Sequence, residues 1–270
     1  MTEKRVGAAK VIPSMHFKKW SNDWNALRKF QQNLEPGEKN NRKANIDRVV
    51  AQWRRNAPRE CLRFNWPMSP NFRKNCDPDK GEQIIERKLF PPRSSDAPKV
   101  LRLTKKDSRE SFAVTPLFHN VACATQKSGQ TITDALGVLI VGDEKHPLAI
   151  EVKVEANHVW HAVVENLKQV RMMRANLGNL AKLLAASVDS GECKGTWGMV
   201  LAPEQYYTGK RTGRFVDDTS ELLNKLQKGE VATHARIILA SPAQAGDELI
   251  FKGGYWPGDH KIYNLPGGIM

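Results

Sequence analysis

Residues 131–177 read TITDALGVLIVGDEKHPLAIEVKVEANHVWHAVVENLKQVRMMRANL, and this stretch decides the fold class. Val138 to Val141 is a short apolar run suited to a buried strand, and Gly142 to Pro147 reads as a polar turn. From Leu148 to Val154 apolar and other residues alternate strictly, the period of a strand. Leu148, Ile150, Val152 and Val154 fall on one side, Ala149, Glu151 and Lys153 on the other. Asn157 can cap a helix that runs to about Asn176, with Val159, Ala162, Val163, Leu167, Val170 and Met173 on its apolar side. Gly178 is a natural stop. Further strands are predicted at Trp197 to Ala202 and Ala235 to Ala240, with a helix capped by Ser220 between them. The sum is an α/β protein with a central mixed sheet flanked by helices.

Glu151 and Lys153 break an otherwise apolar segment. Burying a carboxylate and an ammonium is costly unless they pair or hold a metal. E-x-K alone carries little information: it occurs at Glu86-Arg87-Lys88, Glu151-Val152-Lys153 and Glu192-Cys193-Lys194, with a D-x-K at Asp143-Glu144-Lys145. Only the Glu151 copy lies on an alternating strand with an acid, Asp134, just ahead of the preceding strand. Two meanings are open. The pair is either part of a metal-dependent site or a cross-strand charge pair on an exposed sheet face, with Asp134 a turn residue.

Asp134 opening DALGVLIV, Glu151-Val152-Lys153 in LAIEVKV and a helix carrying Gln169 resemble the PD-(D/E)XK phosphodiesterase superfamily over roughly residues 80–200. The resemblance implies a restriction-endonuclease-like fold in which Asp134 and Glu151 bind a divalent cation, usually Mg2+, with Mn2+ as a substitute. The Val152 backbone carbonyl would complete the site, and Lys153 would place or activate the attacking water. An upstream helix often supplies a further Glu in that family. Lys80 to Leu89 is similar to the KG..E opening of Holliday-junction resolvases, with Glu86 the first choice, Glu82 the second and Glu110 the third. Gln169 resembles the helix Gln of RecB-like members, whose Tyr four residues on is Met173 here.

The chemistry suits those residue types. Phosphodiester hydrolysis develops charge on phosphoryl and leaving oxygens, which a hard cation held by carboxylates stabilises. Magnesium keeps several waters and needs only one or two carboxylates. One geometric difficulty follows from the six-residue turn. Opposing Val141 to Leu148 places Asp134 near residue 155, so Asp134 must swing back, with Gly137 as the place for a bulge or bend.

Farther out, the charge is uneven. The chain of 270 residues has 42 Lys and Arg against 29 Asp and Glu, a formal +13. Residues 1–76 hold 17 of these cations and 6 of the acids, so they carry +11 of it, together with four of the seven Trp. Two helices are predicted there. Ser21 would cap one with Trp24, Leu27, Phe30 and Leu34 on a face and Lys18, Lys19, Arg28 and Lys29 around it. The other, Lys43 to Arg55, would bury Ile46, Val49, Val50 and Trp53 and turn Lys43, Arg48, Arg54 and Arg55 outward. Concentrated positive charge on a helical layer attracts phosphate backbones; a merely solvated surface is the alternative. The Trp residues at this spacing read as core. Residues 1–76 are therefore taken as a basic helical region contacting nucleic acid, and 77–270 as the nuclease-like core with a C-terminal elaboration.

Other features narrow the function class. The longest apolar run, Leu136 to Val141, is far shorter than the roughly 20 residues that span a bilayer, and no apolar stretch follows the charged MTEKRVGAAK. A cytoplasmic protein is expected. Cys61, Cys76, Cys123 and Cys193 lack zinc-site spacing. His158 and His161 read as polar residues at a helix start rather than metal ligands. Tyr206, Tyr207, Lys210, Arg211 and Arg214 suggest a basic, aromatic loop, and Gly253 to Met270 an irregular tail. The expected function is a Mg2+-dependent DNA endonuclease with Asp134, Glu151, Lys153, Glu86 and Gln169 at its centre. RNA is a possible substrate. The rival is a non-catalytic nucleic-acid-binding protein keeping the same fold.

Overall fold

A computed structural model describes residues 15–30, 38–57, 64–65, 81–89, 100–105, 111–123, 131–155, 157–175, 177–178, 180, 195–209, 215–228, 235–245 and 248–255. Eight strands are present among them: β1 (Phe64–Asn65), β2 (Leu101–Lys105), β3 (Ser111–Cys123), β4 (Thr131–Val141), β5 (Glu144–Val152), β6 (Trp197–Leu201), β7 (Ile237–Ala245) and β8 (Glu248–Tyr255). The helices are α1 (Met15–Phe30), α2 (Lys39–Arg54), α3 (Glu82–Leu89), α4 (Val159–Ala175), α5 (Glu204–Thr208) and α6 (Val216–Leu226).

The strands form one mixed sheet in the order β1-β3-β2-β8-β7-β6-β5-β4, and β3 also pairs with β4. Strands β2 to β8 therefore follow one another round a ring, and the sheet curls on itself. The protein is mixed α/β, as expected, but the curl gives the sheet an inside and an outside. Inside lie Leu103, Val114, Leu139, Leu148, Ile150, Met199 and Ile238, joined by Ile85 and Leu89 of α3. Outside, α1, α2, α4 and α6 pack a second apolar cluster onto the sheet. Burying each large aliphatic side chain contributes about 1.5–3 kcal/mol.

The β4–β5 hairpin corrects the six-residue turn. The turn is only Gly142-Asp143: Val141 pairs with Glu144, Val138 with Pro147 and Ala135 with Ile150. Gly142 has φ +59, the left-handed conformation that Gly adopts freely at the first central position of a tight hairpin turn. Pro147 is tolerated within β5 because β6 begins only opposite Leu148. Its missing N–H points to the edge where β5 has no neighbour. In this register Asp134 faces Glu151 directly, and no swing back is needed. Gly137 serves another end: a Cβ there would strike the Thr115 carbonyl, where β3 and β4 come close beside a bulge at Leu117.

The N-terminal helices share the core of α4. Trp20, Trp24, Ile46, Val49 and Trp53 are buried in the outer cluster, as expected, and Phe17 joins them; of the other residues expected on these faces, Leu27 and Val50 are partly buried and Phe30, near the end of α1, is exposed. Lys18, Lys19, Lys29, Lys43, Arg48, Arg54 and Arg55 are exposed. Three expected caps are not caps. Ser21 lies in the second turn of α1, buried, and its hydroxyl accepts from Lys168 Nζ at 2.7 Å. Ser220 lies inside α6 and its hydroxyl donates to the Val216 carbonyl at 2.9 Å. At the start of α4, His158 replaces Asn157: its Nδ1 accepts from the His161 N–H at 3.4 Å, and Asn157, at φ +68, forms the bend before it.

Among the described residues, no helix is long and apolar enough to cross a membrane. Leu34, Trp66, Glu110, Lys210, Arg211, Arg214, Cys61, Cys76, Cys193 and residues 256–270 lie outside the described residues. Gly253–Tyr255 of the expected tail belong to β8.

Candidate active site

At the open end of the β4–β5 hairpin, alternation puts Asp134 and Glu151 on the outer face, the face on which Leu136, Val138 and Ala149 meet α4. Lys153 follows one step beyond the end of β5. Its N–H donates to the Leu201 carbonyl at 3.0 Å, which ties the strand end to β6. Asp134 is half-buried and its Oδ2 accepts the Val152 N–H at 2.8 Å, closing the hairpin beyond its last paired residues. Glu151 and Lys153 are 2% and 7% exposed, so water cannot screen them.

The Lys153 ammonium donates to Glu151 Oε1 and has Glu82 Oε1 at 3.8 Å and Glu165 Oε2 at 4.0 Å. The other Glu151 oxygen, Oε2, accepts from Gln169 Nε2 at 2.5 Å. Gln169 is oriented in turn by Asn166, whose Nδ2 donates to Gln169 Oε1 at 3.0 Å and to the Ala149 carbonyl at 3.1 Å. A strand carbonyl thus fixes Asn166, Asn166 fixes Gln169, and Gln169 fixes Glu151. Gly198 lets the helix come this close: a Cβ there would run into Asn166, Ile237 and Val170.

The protonation pattern follows from burial among like charges. Burial, opposed by Lys153 and the Val152 N–H, lifts the Asp134 carboxyl to about 7. Burial and the neighbouring Asp134 push Glu151 well above the carboxylate range, and burial also raises Glu82. Burial works against the Lys153 charge, but Glu151, Asp134, Glu82 and Glu165 outweigh it and hold the ammonium charged. His161 goes the other way. Burial and the charges of Arg28, His158 and Lys153 bring it down to about 3, so its 3.7 Å contact with Glu165 Oε2 involves a neutral imidazole.

The site therefore brings together Asp134, Glu151, Lys153 and Gln169 of the residues predicted from sequence. Of the two described α3 acids, Glu82 contacts Lys153, and the charge of Glu86 acts on Asp134 and Glu82. Glu165 and Asn166 escaped the sequence reading. Their signal was present: His161, Glu165 and Gln169 recur every four residues, and Asn166 and Gln169 are three apart, so each set shares a helix face. Arg28, expected on the surface, instead donates to Glu165 Oε1 at 2.6 Å and links α1 to the site. Tyr206 and Tyr207 lie not in a loop but buried in the short helix α5, just beyond β6.

Among the described residues no three His, Cys, Asp or Glu side chains group as a metal cluster. The donor set still fits a magnesium-type cation, which takes hard oxygen ligands from one or two carboxylates and keeps waters for the rest. Asp134 and Glu151 supply two such carboxylates, each retaining lone pairs beyond its present hydrogen bonds.

The chain was compared with family models, curated proteins and solved structures. It matches none of them.

Proposed function

We propose that this protein is a divalent-metal-dependent nuclease of the PD-(D/E)XK type that hydrolyses phosphodiester bonds in DNA, built on a restriction-endonuclease-like arrangement of its sheet and helices. The observation that carries the reading is the meeting of Asp134, Glu151 and Lys153 on one face of the hairpin end. Two acids are kept there with raised proton affinity beside an amine kept charged. Buried carboxylates of raised proton affinity beside a charged amine are typical of functional sites. Asp134, Glu151 and the Val152 carbonyl would hold Mg2+, or Mn2+ in its place, with Glu82 or Glu86 assisting. When bound, the cation would neutralise charge that develops on the phosphoryl and leaving oxygens.

The chain's own groups have distinct tasks. Lys153 presents a permanent positive charge that orients the attacking water or draws in the phosphate. Gln169 and Asn166 hold Glu151 in place. The cations of α1 lie close by: Arg28 touches Glu165, and exposed Lys29 is near enough for its charge to act on His161. A nucleic-acid backbone lying along α1 would thus arrive at the acids.

The test is incubation with supercoiled plasmid, linear DNA and a parallel RNA, each with Mg2+, Mn2+ or chelator. Metal-dependent cleavage that falls at least about 100-fold in Asp134→Ala and in Lys153→Ala is the expected result. Binding without cleavage would favour a nucleic-acid-binding protein, and cleavage of RNA alone would move the substrate class.

A further inference from the structure

Two adjacent tyrosines on α5 differ in a telling way. The Tyr207 hydroxyl is satisfied by the fold, lying 2.9 Å from the Val200 carbonyl and 3.0 Å from that of Ala240. Tyr206 is as deeply buried, at 1% exposure, yet its hydroxyl has no hydrogen-bond partner among the described residues. Buried hydroxyls almost always have one. The two rings meet edge to face at 5.6 Å, which fixes their relative orientation.

The place of Tyr206 says what kind of partner it awaits. It follows β6 by five residues, and the end of β6 is tied to Lys153 through the Leu201 carbonyl. Lys153, Glu151, Glu82 and Glu165 all act on its hydroxyl by their charge. Each Glu151 oxygen already accepts one hydrogen bond, from Lys153 or Gln169, and neither accepts one from Tyr206. Burial, and the acids beyond Lys153, hold its proton above the usual phenol range, so it is a donor throughout the neutral range. A buried donor without an acceptor, under the influence of a lysine's charge, suits an incoming anionic oxygen.

We propose that the Tyr206 hydroxyl donates a hydrogen bond to a non-bridging oxygen of the phosphodiester held beside Lys153 and Glu151. The proposal rests on the nuclease reading and adds to it a substrate-contacting residue from outside the hairpin and α4. Tyr206 then acts as a preorganised donor to the oxygen on which charge grows, leaving Lys153 to serve the water.

The experiment is Tyr206→Phe beside Tyr207→Phe, with plasmid cleavage in Mg2+, DNA binding by fluorescence anisotropy in Ca2+, and thermal unfolding. Tyr206→Phe should lower kcat about 100-fold, leave Ca2+-supported binding within about twofold, and keep or raise the Tm, since it removes an unpartnered polar atom. Tyr207→Phe should lower the Tm and leave kcat within about threefold. A sulfur-for-oxygen substitution at the scissile phosphate should slow the wild type more than Tyr206→Phe, because the two changes remove one contact. Wild-type kcat in Tyr206→Phe while Asp134→Ala is inactive overturns the proposal and leaves the nuclease reading intact. Full cleavage by Asp134→Ala instead overturns the nuclease reading. A Tyr206→Phe chain that loses stability overturns the proposal too, because the hydroxyl would then be serving the fold.

Discussion

The two faces of β5 are separated by the thickness of one strand and serve opposite ends. Leu148, Ile150 and Val152 point into the curl of the sheet, where each is fully buried among apolar neighbours. Ala149, Glu151 and Lys153 point outward to α4, where the carboxylate and ammonium are buried almost as completely. The inner face lowers the free energy of folding with every residue. The outer face spends part of that gain on charges that raise one another's proton affinity. On the proposed function, stability and chemistry are divided between even and odd positions of one strand, and a variant on either face should affect one property and spare the other.

The sharpest contrast is between Asp134→Asn and Ile150→Ala. Asparagine can still accept the Val152 N–H, so Asp134→Asn should abolish cleavage while keeping the Tm or raising it by about 2–4 °C for each kcal/mol of repulsion relieved. Ile150→Ala leaves a cavity and should cost about 2–5 kcal/mol, lowering the Tm by several degrees while cleavage per folded molecule stays near wild type. Equal loss of stability in both variants would break the comparison.

A smaller effect is expected at the residues that hold Glu151 in place. Gln169→Ala removes the group that orients Glu151 and should lower cleavage about 10–100-fold, with Asn166→Ala giving a similar but weaker loss. Additive losses in the double variant would show that the two do not act in series.

The mildest effect is in pH. Because Asp134 is lifted to about 7, mainly by burial, cation binding and cleavage should rise as pH increases through about 7 and then level off. Stability should run the other way. Between the unfolded carboxylate value of about 3.9 and about 7 the folded state binds more protons than the unfolded one, so stability falls as pH rises across that window. Measured by thermal unfolding from pH 4 to 8, this slope should shrink in Asp134→Asn. An unchanged slope would assign it to other groups.

Much of the site was legible in local patterning. Strict alternation at 148–153 placed Glu151 and Lys153 on one face, and helical spacing from Val159 to Met173 gave α4. The hairpin register was also available, since Gly142-Asp143 is a two-residue turn signal. It was obscured by Lys145, His146 and Pro147, whose polarity and missing donor suggest a longer turn. Only the late start of β6 makes Pro147 acceptable within β5. Ser21 and Ser220 looked like caps because the hydroxyl serves equally well inside a helix when a buried lysine or a carbonyl of the preceding turn is at hand.

From sequence alone came the α/β class, the buried tryptophans of α1 and α2, and the shared face of Glu151 and Lys153, because each rests on a period of two or 3.6 that is written locally; the grouping of Asp134 and Gln169 with them came from the resemblance to PD-(D/E)XK proteins. Tertiary structure decided the curling of the sheet, the contact of Glu82 with Lys153, the link from Arg28 to Glu165, and the burial of Tyr206 beside the same charges. Those groups are separated by tens to more than a hundred residues along the chain. Packing of distant segments brings them together, and no local spacing encodes that.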